Sequence, residues 1–103
     1  MSDNRITIRW HELAEEDFVE AVYWYKDKDP RVAEAFSDAI DHAVEMIVTA
    51  PERWPTHRYG TRRYVVRDYP YSVVYLVKSD HVFIVAVAHG RRRSGYWRKR
   101  LKP

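Results

Sequence analysis

The sequence predicts an α+β fold in which an antiparallel sheet carries a helical hairpin on one face. Three observations predict it: a short alternating segment opens the chain, two long segments of helical period follow, and three apolar runs come last. That order of strand, helix, helix and three strands places both helices on one side of one twisted sheet. With 103 residues the chain has room for a single domain, 1–103.

The amino-terminal half contains the first strand and both helices. Residues 5–10 alternate between apolar and polar, which is typical of a half-buried strand. From Glu12 to Lys28 apolar residues recur at helical spacing, and acidic first turns and a basic end complement the helix dipole. Asp29 followed by proline is typical of an N-cap, so a second helix starts there and ends before Pro51. The two helices are expected to form an antiparallel hairpin.

The carboxy-terminal half contains a loop and three strands. Residues 50–60 include two prolines and a terminal glycine and have no clear period, so they predict a loop. Trp54 is expected to pin this loop over the end of the second helix. Three runs predict the strands of an antiparallel meander: residues 62–67, 71–78 and 82–89.

The composition excludes several function classes. The absence of cysteine excludes disulfides, thiolate catalysis and Cys-ligated zinc. Three glycines are too few for a nucleotide-binding loop, and no histidine pair has metal-ligand spacing, so we expect neither a metal nor a cofactor. The longest apolar run, residues 82–88, is far shorter than the ~20 residues of a membrane span, and the amino terminus shows no signal sequence. A cytoplasmic protein without a membrane partner is expected.

The charges are segregated along the chain. Residues 1–52 carry 5 Lys or Arg and 13 Asp or Glu, whereas residues 53–103 carry 13 and 2, so the halves have net charges of −8 and +11. Within one domain this predicts an acidic surface and a basic surface. The basic surface suits an acidic partner, either nucleic acid or an acidic protein. The alternative is that the helical half is acidic without functional meaning.

Residues 91–100 form a basic segment that contains two aromatic residues. Six of the ten are cationic, and Tyr96 and Trp97 lie between the cations, a composition that suits phosphate neutralisation and base stacking. Because the segment directly follows the most hydrophobic strand, we expect it to lie against the sheet. The alternative is a solubilising terminus whose aromatic pair packs on the core. We expect packed aromatic residues and functional arginines.

One set of residues near this segment would permit metal-free RNA cleavage. That reaction needs a base for the ribose 2′-hydroxyl, an acid for the leaving oxygen and cations for the phosphate. His89, Tyr96 and the arginines 91–93 would supply all three. His89 is predicted on the same strand face as Phe83, Val85 and Val87, and the alternative is an ordinary strand-end histidine.

Two more arginines open the second predicted strand. Because neighbours in a strand point to opposite faces, only one of Arg62 and Arg63 can lie with the basic segment on the open side of the sheet. The alternative is a solvated edge strand that its charges protect from further pairing.

Six segments, taken in order, resemble one protein superfamily. They are residues 14–25, Asp29–Pro30 with residues 33–36, residues 51–55, Arg62–Arg63, residues 70–75, and residues 86–89 with the arginines that follow. In order and spacing they resemble the RelE/ParE toxin superfamily over nearly the whole chain. The resemblance implies the toxin of a type II toxin–antitoxin, or plasmid-stabilisation, module, which a cognate antitoxin wraps around and keeps inactive.

The superfamily contains mRNA-cleaving toxins that act on the ribosome and ParE-like toxins that inhibit DNA gyrase. The resemblance implies, for the first kind, an arginine immediately before the Val-Val-Tyr triplet, where this chain has Ser72. Arg91 matches an arginine that follows the last strand, and the tyrosine some six residues later aligns with Trp97 or, with one gap, with Tyr96. Since loss of one transition-state donor lowers a rate by about 10²–10³, the resemblance favours ParE-like inhibition of gyrase.

Three functions therefore stay open. The first is a gyrase-inhibiting toxin, the second a metal-free, ribosome-dependent mRNA endoribonuclease with His89, Arg91 and Tyr96 as catalytic residues, and the third a non-toxic nucleic-acid-binding module. The implied partners are a cognate antitoxin and either gyrase or ribosome-bound mRNA, with operator DNA reached only through the antitoxin. The residues expected to bind the target or the antitoxin are Arg62, Arg63, Arg91, Arg92, Arg93, Trp97 and Arg98.

Overall fold

A computed structural model of the protein describes residues 6–102. The first residue of the predicted strand 5–10 and both ends of the predicted domain 1–103 lie outside that range. The α+β fold is confirmed, with these elements: β1 (Thr7–Trp10), α1 (Glu12–Lys28), α2 (Pro30–Thr49), β2 (Arg62–Val65), β3 (Tyr71–Val77) and β4 (His81–His89). Two 3₁₀ turns, Arg58–Gly60 and Arg98–Leu101, lie before β2 and in the basic segment.

The two helices begin and end where their capping residues require. His11 caps α1 by accepting a hydrogen bond at Nδ1 from the backbone N–H of Leu13, at 3.0 Å. Asp29 has extended backbone angles, donates its N–H to the carbonyl of Tyr25 and accepts the N–H of Arg31 at 2.9 Å. One residue therefore ends α1 and caps α2. Within residues 6–102, neither helix is long and apolar enough to cross a bilayer.

The sheet is mixed, with the strand order β1-β4-β3-β2. The meander β2-β3-β4 is antiparallel as predicted, but β1 pairs with β4 in parallel, so the prediction of a wholly antiparallel sheet is wrong for the first strand. Only tight turns force neighbouring strands to run antiparallel. The long helical connection after β1 allows this strand to run in either direction. In the sheet β1 lies beside β4, the last strand, and not beside β2, the next strand in the chain.

A β-bulge interrupts the pairing of β3 with β4. Val74 pairs with Ala86, but the next residue, Tyr75, pairs with Ile84. Val85 is therefore an extra residue on β4. A bulge of this kind shifts the alternation of side chains by one position.

The bulge corrects the predicted orientation of His89. Val85 packs in the core on the face away from the helices, whereas Val87 packs in the core that faces them. His89 lies two residues after Val87 and pairs with Tyr71, so it lies on the helix side of the sheet, not on the face of Phe83 and Val85. Strict alternation, on which the prediction rested, fails at the extra residue.

The two central strands of the sheet, β3 and β4, are buried on both faces. The larger core lies between the sheet and the helices, and its fully buried members include Ala14, Phe36, Ile40, Ile47, Val73, Tyr75, Val82 and Ile84. A smaller core on the opposite face contains Val74, Val85, Ala86 and Trp97. Two-sided burial explains why the last two strands are apolar without a clean alternation.

The loop before β2 is fixed to the end of α2 as predicted. The indole Nε1 of Trp54 donates to the carbonyl of Met46 at 3.4 Å, and its ring lies 4.6 Å from that of Tyr64. The hydroxyl of Tyr75, a residue with no exposed surface, donates to the carbonyl of Pro51. Burial raises the pKa of Tyr75 to about 12, so this hydroxyl remains a donor at all physiological pH values.

We expect Tyr75→Phe to lower the free energy of unfolding by about 1–2 kcal/mol, because it leaves the part-buried carbonyl of Pro51 without its donor. Urea unfolding followed by circular dichroism measures the change. The control is Tyr23→Phe, at a side chain that is 65% exposed, where we expect a change below about 0.5 kcal/mol. Equal unfolding midpoints for the two variants would contradict this role of the hydroxyl.

Candidate functional site

The basic segment packs over the face of the sheet that the helices leave open. Its centre is Trp97, which is only 2% exposed and lies in the smaller core with Val74 and Val85. The indole also meets two rings of the loop before β2, His57 at 5.8 Å and Tyr59 at 5.9 Å between centroids. We call residues 91–102, which are the basic segment and the two residues after it, the tail. Because its largest side chain is in a core, the tail is held against the sheet.

A largely buried ion pair holds the tail to α1. The Arg100 Nη1 and the Asp17 Oδ2 are 2.7 Å apart, and each side chain is 10% exposed. Both groups also bind the backbone of β4: Arg100 donates to the carbonyl of Val85, and Asp17 accepts the N–H of Val87, each at 3.1 Å. These backbone groups lie beyond Ile84, the last residue of β4 that pairs with β1. The ion pair thus satisfies a strand edge that would otherwise lack partners.

Tyr96 belongs to the same network. Its hydroxyl donates to the Oδ2 of Asp17 at 3.2 Å, and the guanidiniums of Arg92 and Arg100 lie 3.9 and 5.1 Å from its ring centroid. Burial, followed by the negative charge of Asp17, raises the pKa of Tyr96 to about 12. The phenol is therefore protonated at neutral pH, and its proton points to a carboxylate.

The turn after β4 presents the arginines of the tail. The N–H of Arg91 donates to the Nδ1 of His89 at 2.9 Å, and the imidazole of His89 meets the ring of Tyr71 edge-on at 5.0 Å. The side chains of residues 91–93 are exposed. Within residues 6–102 none of the three forms an ion pair. The tail buries its aromatic residues and leaves these cations at the surface.

An open cleft of about 690 Å³ lies between α1 and the turn after β4. Aromatic, basic and acidic side chains line it, among them Trp24, Tyr25, Tyr71, Arg91, Arg92 and Asp17. Burial, then the neighbouring Tyr25, raises the pKa of Tyr71, so its phenol stays neutral. The three residues predicted for RNA cleavage, His89, Arg91 and Tyr96, all line this cleft.

The two arginines that open β2 lie on opposite faces of the sheet. Arg62 is opposite Tyr75 on the helix side, and its Nη1 donates to the carbonyl of Trp54 at 2.7 Å. Arg63 is opposite Val74 on the tail side and is exposed. Of the two, only Arg63 therefore lies on the face that the tail covers, because residues directly opposite in an antiparallel pair share a face.

Ser72 lies on the tail side of β3, between Val65 of β2 and Ala88 of β4. Val65 is 64% exposed, so this part of the sheet is open. None of Val65, Ser72 and Ala88 is charged, whereas the mRNA-cleaving toxins of the RelE/ParE superfamily have an arginine at the position of Ser72. Elsewhere in the described chain, residues 6–102, no three histidine or carboxylate side chains converge as metal ligands.

Comparison with known proteins identifies the family. The family model described as "ParE toxin of type II toxin-antitoxin system, parDE" matches residues 8–94, which is most of the chain. The protein belongs to the ParE toxin family. It is thus the toxin of a type II toxin–antitoxin module, and a cognate antitoxin is its partner. The matched range extends from β1 through the exposed arginines and ends before Trp97.

A solved structure supports the ParE-like fold. The structure titled "Chromosomal ParDE TA system from P. aeruginosa" contains a chain that superposes with a TM-score of 0.70 at 18% sequence identity. The match covers 84% of this chain and 98% of that chain. A search of curated proteins found no sequence that matches this chain.

Two predicted site residues of this ParE toxin have mainly structural contacts. Trp97 is buried, and a partner cannot reach its ring unless the tail leaves the core. Arg62 is held by a loop carbonyl on the helix side. The side chains that remain accessible among the predicted binding residues are Arg63, Arg91, Arg92, Arg93 and Arg98.

Sequence reasoning missed the ion pair of Asp17 with Arg100, although it singled out the tail. The two residues are 83 positions apart, and each looks like one of many charged residues in its own segment. Only the bulge of β4 and the end of β1 create the backbone edge that both side chains need. No local pattern in the sequence reports such an edge.

Proposed function

We propose that this ParE toxin inhibits DNA gyrase in the cytoplasm, acts without cleaving RNA, and uses residues 1–103 as one toxin domain. The observation that carries the proposal is the match of the ParE toxin family model to residues 8–94, and the state of Tyr96 argues against its use as a base in RNA cleavage. A phenol with a pKa of about 12 that donates to the carboxylate of Asp17 is a poor proton acceptor. The uncharged Ser72 supports the same conclusion, because the phosphate of a cleaved RNA would lack one stabilising cation there.

A ribosome-dependent mRNA endoribonuclease is the second candidate. It is favoured by one observation, the convergence of His89, Arg91 and Tyr96 on a single cleft. Against it, Nδ1 of His89 already accepts the N–H of Arg91, and the exposed carboxylate of Glu20, which lines the cleft, repels a phosphate. The arrangement suits a peptide better than an RNA backbone.

We place the antitoxin at this cleft. The aromatic side chains of the cleft would accept an apolar side chain, and Arg91 and Arg92, which line it, would meet carboxylates of the antitoxin together with the neighbouring, exposed Arg93. Arg98 and Arg63 lie on the tail side and remain accessible for the cellular target. In this proposal the antitoxin and the target use different cations of the toxin.

The experiment compares two activities of the toxin freed from its antitoxin. We expect inhibition of gyrase supercoiling, intact ribosome-bound mRNA in a translation extract, and supercoiling inhibition by Tyr96→Phe within about threefold of the unchanged protein. Thermal unfolding of the variant confirms that it is folded under the assay conditions. Cleavage of ribosome-bound message that Tyr96→Phe or Arg91→Ala abolishes would overturn the proposal. A folded toxin with neither activity and no effect on growth would leave only a nucleic-acid-binding module.

A further inference from the structure

The loop before β2 contains a residue in an unusual conformation at the surface. Tyr59 has φ 59° and ψ 37°, a left-handed conformation that non-glycine residues rarely adopt. Its side chain is 42% exposed and meets the buried Trp97 edge-on. Gly95 of the tail approaches so closely that a Cβ there would lie 3.0 Å from a ring carbon of Tyr59. The fold thus tolerates a strained residue to place this ring between loop and tail.

Two arginines from distant parts of the chain share that ring. The guanidinium carbons of Arg58 and Arg98 lie 5.2 and 4.8 Å from the ring centroid of Tyr59. The Nη1 of Arg58 also donates to the carbonyl of Ser94 at 3.3 Å, which ties the loop to the tail. The ring restricts both guanidiniums, and the hydrogen bond to Ser94 also restricts that of Arg58, so less entropy is lost on binding.

A third arginine extends the surface. Arg63 is exposed on the tail side of β2, and both Arg63 and Arg58 lie close enough to His57 to lower its pKa, after the larger effect of burial. Within the described residues 6–102, none of Arg58, Arg63 and Arg98 forms an ion pair. The three cations therefore repel one another without an internal counterion. We call Arg58, Arg63 and Arg98, with the ring of Tyr59, the arginine platform.

We propose that the arginine platform binds the phosphate backbone of duplex DNA, so that the toxin contacts DNA as well as gyrase. This inference rests on the proposed function, because DNA is the substrate that gyrase holds. Preorganised guanidiniums bind phosphates bidentately, and clustered phosphate contacts give binding that is independent of sequence.

Duplex DNA suits the platform better than the alternatives. Single-stranded nucleic acids depend on free aromatic faces for base stacking, and here two guanidiniums already lie over the ring of Tyr59, the aromatic residue of the platform. An acidic protein would need an apolar pocket for its anchoring side chains, and the cavity with aromatic walls lies elsewhere, at the α1 cleft. What the platform offers is fixed positive charge, which matches the regular phosphates of a duplex.

The test measures binding of a fluorescein-labelled 30-base-pair duplex of mixed sequence to the antitoxin-free toxin by anisotropy at several salt concentrations. We expect the double variant Arg58→Ala, Arg98→Ala to bind about tenfold or more weakly, with a slope of log K against log salt that is smaller by about 2. The control, Lys26→Ala with Lys28→Ala, removes the same charge from α1 and is expected to leave the affinity within about twofold. Arg58→Lys with Arg98→Lys keeps the charge and guards against effects of misfolding.

A second readout follows the imidazole of His57 by NMR. Phosphates that neutralise Arg58 and Arg63 would raise its pKa toward the ordinary value, and His57→Gln assigns the signal. Equal loss of affinity in the platform and control variants would overturn the inference, as would tighter binding of single-stranded RNA than of duplex DNA. So would platform variants that lose the antitoxin but keep DNA. If the toxin inhibits gyrase but binds no DNA, only this inference is wrong. If the toxin does not inhibit gyrase, the proposed function is wrong.

Discussion

Replacing Trp97 by alanine is expected to lower the free energy of unfolding by about 3–5 kcal/mol and to release the tail from the sheet. The indole is 2% exposed and is the largest side chain of the smaller core. Its removal leaves a cavity between the tail and Val74 and Val85, which other side chains of so small a core cannot fill. The tail would then lose its principal contact with the sheet.

Urea unfolding of the antitoxin-free toxin measures the first effect, and tryptic cleavage within residues 91–102 measures the second. The matched control is Trp24→Ala, which removes an indole that is 58% exposed on α1 and is expected to change stability by less than about 1 kcal/mol. Similar stability and similar tryptic cleavage for the two variants would show that the smaller core does not hold the tail.

Breaking the ion pair between Asp17 and Arg100 is expected to have the second largest effect. Either Asp17→Ala or Arg100→Ala leaves the other charge in a site that is 10% exposed, and we expect a loss of about 3 kcal/mol for each. Each change also frees a backbone group of β4, the carbonyl of Val85 or the N–H of Val87. The double variant should lose much less than the sum, because no unpaired charge remains.

The cycle of two single variants and one double variant is measured by urea unfolding at neutral pH. Lys99→Ala is the control for Arg100→Ala, since its side chain is the exposed neighbour in the same 3₁₀ turn. Strict additivity of the two single changes would mean that the residues do not act as a pair. An unchanged stability in Arg100→Ala would mean that the edge of β4 is satisfied by other groups.

Local signals in the sequence predict most of the fold. Asp29 is an N-cap residue and Pro30 favours the first position of a helix. The structure starts α2 there, because the side chain of Asp29 accepts the N–H of Arg31, only two residues away. The segment after β4 was expected to lie on the sheet with its aromatic residues packed, and Trp97 does so. These predictions succeed because the interactions that decide them lie close together in the chain.

The remaining features depend on contacts between distant residues. The pairing of β1 with β4 and the extra residue Val85 leave no periodic trace, yet the bulge moves His89 to the helix side. The sequence predicted the positive charge of the site, but not which arginines form structural contacts and which stay exposed. Arg100 pairs with Asp17, and Arg58 lies over the ring of Tyr59 and donates to the carbonyl of Ser94 in the tail.

The central claim is that the tail is fixed on the sheet and presents its arginines from a rigid base. Nuclear Overhauser contacts between the indole protons of Trp97 and the methyl groups of Val74 and Val85 test this most directly in the antitoxin-free toxin. We predict strong contacts, together with slow exchange of the amide of Val87, which donates to Asp17. Absent contacts, with random-coil shifts through residues 91–102, would contradict the account.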